Sequence, residues 1–154
     1  TATELASIAI SAADNVRSIM GWEPRVAFLS FSTDGSGAGT SVDRVREAIE
    51  LARGRRADLA IDGEFQLDAA IVPRVAQRKI RAHSDVAGKA NVLIFPDLDA
   101  ANIAIKAVQL FAHGSGYGHT LSGFKLPVSD SSRNSTVDEM LGDIAMLALA
   151  AERG

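Results

Sequence analysis

The sequence predicts an α/β domain in three layers, a mainly parallel sheet with helices on both faces. Two observations predict it. Short runs rich in β-branched or aromatic residues, such as RVAFLSFS and NVLIF, alternate with stretches of about 10 to 15 residues whose apolar side chains recur at helical spacing. Between them, the glycine-rich or polar segments TDGSGAGT, RAHSDVAGK, HGSGYGHT and DSSRNST fall mostly where strands would end.

Each element follows from local chemistry. TATELASIAISAADNVRSIMG carries a helical apolar stripe, Thr1 and Glu4 stand at capping-box spacing, and Gly21 is placed to stop the helix. After Pro24, RVAFLSFS is too short and too β-branched or aromatic for a helix. The loop TDGSGAG leads into a helix over 42–51. The unit then recurs, with a strand over 57–62 and a helix over 67–78, then a strand at NVLIF and a helix over 101–111. HTLSGF and LPVSD lie around the last strand, and a closing amphipathic helix starts near Thr136. Residues 1–154 are expected to form one domain, since 154 residues that are 47% apolar can fill a single core.

Composition excludes several classes of function. A formal net charge of −3 and an isoelectric point near 5.6 supply no positive field for nucleic acid or an anionic membrane. Without cysteine there are no disulfides, thiolate metal sites or cysteine nucleophile. The amino terminus has no basic segment followed by an apolar stretch, and no apolar run approaches the ~20 residues that span a bilayer, so a cytoplasmic protein is expected. His83, His113 and His119 show no metal-ligand spacing, and no metal is assigned. There is no G-x-S-x-G elbow to make a serine nucleophile.

Ligands of open α/β sheets bind beyond the carboxyl ends of strands, which directs attention to three loops. STDGSGAGT, residues 32–40, offers backbone N–H groups to a phosphate but matches neither the P-loop nor the dinucleotide fingerprint; by itself it reads as a flexible connection. In FPDLDAAN, Asp97 and Asp99 are read as helix-capping residues rather than magnesium ligands, and Asp62-Gly63-Glu64 is read the same way. The third loop, VSDSSRNSTVDEM, crowds Ser131, Ser132, Arg133, Asn134, Ser135 and Thr136 before a helix. An arginine fork with neighbouring hydroxyls suits a phosphate or a developing oxyanion. Thr136 with Glu139, or Ser135 with Asp138, equally suits a capping box, and the residue types alone favour the cap.

Taken together and in order, RVAFLSFSTDGS, IDGEFQLDAAIVP, VAGKANVLIFPDLDAANIAIK and LPVSDSSRNSTVDEM resemble the carboxy-terminal half of the phosphate acetyl/butyryltransferase family. The resemblance spans nearly the whole chain. It implies reversible transfer of an acetyl group between acetyl phosphate and the thiol of coenzyme A, in a cleft between two α/β domains, of which this chain supplies one. Coenzyme A enters as a substrate, with no bound cofactor. The serine-arginine pair of the family's active-site loop carries over onto Ser132 and Arg133, with Ser131, Asn134 and Ser135 beside them as substrate-binding residues. Arg133 would neutralise phosphate or carbonyl charge, and Ser132 would hydrogen-bond the thiol or acyl oxygen.

The family's proposed base, an aspartate, aligns with Glu139, which is taken as the base ahead of Asp138 and a group outside this chain. The resemblance further implies a homodimer and a need for an amino-terminal domain. The apolar stretch 141–151 suits burial in a core or in a subunit interface. A second reading is an acetyl-CoA-sensing and oligomerisation domain, like those fused to bacterial malic enzymes; retention of Ser132 and Arg133 favours the transferase.

Overall fold

A computed structural model describes residues 1–153. Helix α1, Ala2–Asn15, starts at the expected capping box: Thr1 Oγ1 accepts the Glu4 N–H at 3.2 Å, and the Glu4 carboxylate reaches back to Thr1. The helix continues as a π-helical turn, Val16–Met20, and Gly21 ends it with φ 67°, a left-handed conformation that glycine adopts without penalty.

Three parallel strands follow. Strand β1, Arg25–Leu29, lies between β2, Ala60–Phe65, and β3, Val92–Ile94. Helix α2, Thr40–Arg55, connects β1 to β2; α3, Leu67–Ile71, and α4, Pro73–Lys79, connect β2 to β3. The strand expected over 57–62 thus begins three residues later. Its register is set by pairing Arg25 with Ala60 and Val26 with Ile61, which local pattern does not encode. The single helix expected over 67–78 is broken at Val72, because Pro73 has no N–H to continue it and instead opens a new helix at its favoured first position.

Alternation along β1 divides the core. Val26 and Phe28, both fully buried, face α1 and α2, where Ala6, Ala9, Ala13, Ala48 and Ala52 allow close helix packing. Ala27 and Leu29 face the other way, toward Phe65, Ala69, Ala70 and Val86. These are the expected three layers. Gly63, at φ 148°, is required where it stands, since a Cβ there would lie 2.8 Å from the Phe28 carbonyl oxygen.

The remainder is built differently. Helix α5, Leu98–Phe111, has no buried residue. Strands β4, Thr120–Leu121, and β5, Val128–Ser129, pair antiparallel with one another and stay apart from the parallel sheet. The last strand read from the sequence is therefore this small hairpin. Helix α6, Val137–Arg153, closes the chain and packs on the π-helical turn and β5. Among the described residues no helix is long and apolar enough to cross a membrane.

Candidate functional site

The loop between β5 and α6 is shaped by its own short-range bonds. The Ser132 carbonyl accepts the Ser135 N–H at 2.9 Å, and Thr136 and Glu139 form the capping box of α6. Glu139 Oε2 accepts the Thr136 N–H at 2.8 Å, and the Thr136 hydroxyl accepts the Glu139 N–H at 3.2 Å. Of the two caps read from the sequence, the structure forms this one.

Above it lies a cavity of about 430 Å³ whose wall includes Ser132, Asn134, Ser135 and Glu139, together with Lys106 of α5 and His119. Arg133 is exposed beside this wall, and among the described residues it makes no ion pair or hydrogen bond. Asp138 is exposed on the first turn of α6 and is not part of the wall. Ser131 turns the other way. Its hydroxyl donates to Asp143 Oδ2 at 2.6 Å.

Asp143, one helical turn beyond Glu139 on α6, is 1% exposed. Besides the Ser131 hydroxyl its carboxylate accepts the Gly118 N–H at 2.7 Å and faces His119 Nδ1 at 3.1 Å from both oxygens. The Ser131 bond, with help from His119 and Gly118, outweighs burial and holds the carboxyl at about 2, so Asp143 is an anion. Gly118, at φ 77°, aims that N–H at the carboxylate, and a side chain at Gly142 would run into the Tyr117 ring that covers it. Neither His119 nor Asp143 was singled out by motif. A carboxylate four residues after Glu139 on one helix face, opposite a histidine in a glycine-rich loop, was the signal available.

The loop after β1 is also more tightly held than its composition implies. Glu64, 3% exposed, accepts Ser32 Oγ at 2.7 Å and the Gly35 N–H at 3.0 Å, and is paired with Arg46 through bonds of 2.9 and 3.0 Å. Burial pushes this carboxyl up, but the Arg46 guanidinium, Ser32 and Gly35 together hold it at about 2. The segment read as a flexible connection is pinned. Nor do Asp62 and Glu64 cap a helix: both lie in β2, where Asp62 pairs with Arg53 at 2.7 Å. Asp97 does cap α5, accepting the Ala100 N–H at 2.9 Å. Among the described residues no group of three or more His, Asp or Glu side chains is placed to hold a metal ion.

Comparison with known proteins bears on the whole chain. A family model described as "Phosphate acetyl/butaryl transferase" matches residues 1–148. Phosphate acetyltransferase of Clostridium acetobutylicum is 47% identical over 154 residues, which are 100% of this chain and 46% of that protein. Phosphate acetyltransferase of Salmonella typhimurium is 48% identical over 153 residues, 99% of this chain and 21% of that protein. The crystal structure of a phosphotransacetylase from Streptococcus pyogenes superposes with a TM-score of 0.91 at 44% identity, covering 100% of this chain and 46% of that one. The chain thus spans about half the length, or less, of the relatives it matches.

Proposed function

This chain belongs to the phosphate acetyl/butyryl transferase family, and we propose that it forms one side of an active site for reversible acetyl transfer between acetyl phosphate and coenzyme A. The observation that carries the reading is Arg133, an exposed guanidinium without a carboxylate partner among the described residues, at the amino end of α6 and next to Ser132 in the cavity wall. A helix amino terminus and a free arginine fork both favour an anion. The dianionic phosphoryl group of an acyl phosphate, and the oxyanion formed as the thiolate adds to its carbonyl, are such anions.

In this reading Arg133 stabilises the charge that grows on the carbonyl and phosphate oxygens, an interaction of most value in the transition state. The Ser132 hydroxyl orients the sulfur or the acyl oxygen. Ser131 has a different part, since its hydroxyl is spent on Asp143. Coenzyme A is a substrate that enters and leaves. A second domain, implied by the two-domain resemblance, supplies the opposite side of the cleft.

The reading also includes a cytoplasmic homodimer. Supporting the dimer, Leu141, Ile144 and Leu149 of α6 are 59%, 65% and 37% exposed, and Ile103 and Phe111 of α5 are 69% and 87% exposed. Apolar surface of this extent is typical of an interface.

The test uses the longest natural polypeptide that carries this chain, with acetyl phosphate and coenzyme A, following thioester formation by ultraviolet absorbance. Arg133→Ala is expected to lower turnover by about 10²- to 10³-fold. A variant within a few-fold of the parent would remove Arg133 from the mechanism. Coenzyme A binding with no turnover in the parent would turn the reading to acetyl-CoA sensing.

A further inference from the structure

We propose that His119, held in place by Asp143, is the base that takes the coenzyme A thiol proton in this chain. The inference rests on the acetyl-transfer reading above and names a proton acceptor within it.

The geometry fixes the tautomer. An ionised carboxylate only accepts hydrogen bonds, so the His119 Nδ1 that lies 3.1 Å from both Asp143 oxygens carries the proton. The lone pair of the neutral ring is then on Nε2. His119 lines the cavity it shares with Ser132 and Glu139, and among the described residues no hydrogen bond or ion pair occupies its Nε2.

The burial of Asp143 argues for a task. A carboxylate that is 1% exposed is costly to keep unless its oxygens are satisfied, and among the described residues it has no arginine or lysine partner. A hydroxyl, a main-chain N–H and an imidazole satisfy it instead. The buried anion fixes the orientation of the ring that would receive the proton. Asp143 acts through His119 and is a positioning residue.

Glu139 is placed less well for the task. Its Oε2 already holds the Thr136 N–H and hydroxyl at 2.8 and 3.2 Å, and taking a proton there would weaken the start of α6. Among the described residues, the charged groups beside His119 are Asp143, in contact with Nδ1, and Glu139 and Lys106, which line the same cavity, as does Ser132; the Ser131 hydroxyl is on Asp143.

The step balances as follows. The S–H bond of coenzyme A breaks and its proton passes to Nε2. The sulfur lone pair forms a bond to the carbonyl carbon of acetyl phosphate, and the bond from that carbon to the bridging oxygen breaks with its electrons leaving on inorganic phosphate. In the reverse direction the imidazolium returns the proton to sulfur.

His119→Asn keeps a donor for Asp143 and removes the base, so it is the informative variant, studied beside Glu139→Gln in the longest natural polypeptide. His119→Asn is expected to lower kcat by about 10²- to 10⁴-fold, to leave the coenzyme A Kd within about threefold, and to abolish the acid limb of kcat/KM, whereas Glu139→Gln keeps that limb. One measurement needs no variant: the midpoint of the parent's acid limb should fall on warming, as an imidazole does, whereas that of a carboxylate would stay nearly constant. An active parent whose His119→Asn variant keeps both rate and acid limb, or whose acid limb is insensitive to temperature, overturns the assignment alone. A parent with no turnover of acetyl phosphate and coenzyme A overturns the acetyl-transfer reading and this inference with it.

Discussion

In residues 1–96, β1 to β3 and α1 to α4 all contribute buried side chains, from Phe28 and Val26 at the centre to Ala76 at the margin. In residues 97–153 the only buried side chain among the described residues is the carboxylate of Asp143. The first region folds around apolar area removed from water, the usual source of stability. The second hangs on a polar node, while the apolar residues of α5 and α6 face outward. The candidate site lies in the second region. Its side chains are free to meet a ligand because few are committed to a core, and local openings are easiest where packing is thinnest.

The largest expected effect tests the first region. Phe28→Ala, in the sheet between the two helix layers, should destabilise the protein by about 3–5 kcal/mol in urea denaturation, whereas Ile144→Ala on α6, measured at a dilution where copies are apart, should change it by less than about 0.5 kcal/mol. Comparable losses at the two positions would mean that α6 is cored by something the contrast omits.

Next comes the polar node. Asp143→Ala leaves the Ser131 hydroxyl and the Gly118 N–H without their acceptor and should cost about 1–3 kcal/mol, read by hydrogen exchange as faster opening of α6 with the β1 amides still protected. Acid should do the same. Folding lowers Asp143 and Glu64 from ordinary values of 3.8 and 4.5 to about 2. The stability they give is therefore complete above those ordinary values and is lost as the pH falls toward 2. Since α6 has little apolar packing to fall back on, its circular-dichroism or exchange signal should fail at a higher pH than that of the sheet.

The smallest effect on folding concerns the outward faces. Leu141→Ser with Ile144→Ser should scarcely move the melting temperature at high dilution but should shift sedimentation from dimer to monomer. No shift would mean that these faces are not where copies meet.

Legibility in the sequence followed element length more than this division. Periodicity located α1, β1, α2 and β3, where residues such as Val26, Phe28 and Val45 form buried faces that repeat with their elements, and it located α5 and α6 as well. It misplaced the start of β2, where the Leu59 N–H closes a turn onto the Arg56 carbonyl at 3.2 Å and the register with β1 decides. The hairpin of two-residue strands gave too little pattern to read. At the site, Ser132, Asn134, Ser135 and Glu139 were named and do share a cavity, since they are close in sequence. His119 and Asp143 meet across 24 residues, and the loop of Glu64 closes across 29 to Gly35. A lone aspartate in an amphipathic helix looks like part of the solvent face until the partner's position is known.

Asp143 also constrains how this site can change over generations. Its carboxylate serves a ring and an N–H from one stretch of chain and a hydroxyl from another. Replacing His119 or Ser131 alone leaves a buried charge short of a donor, and replacing Asp143 alone leaves the ring without its orientation. Each single step passes through a damaged form, and the effects of such steps are not additive. The three positions are therefore expected to change together, so that a relative lacking one of them has replaced its companions as well.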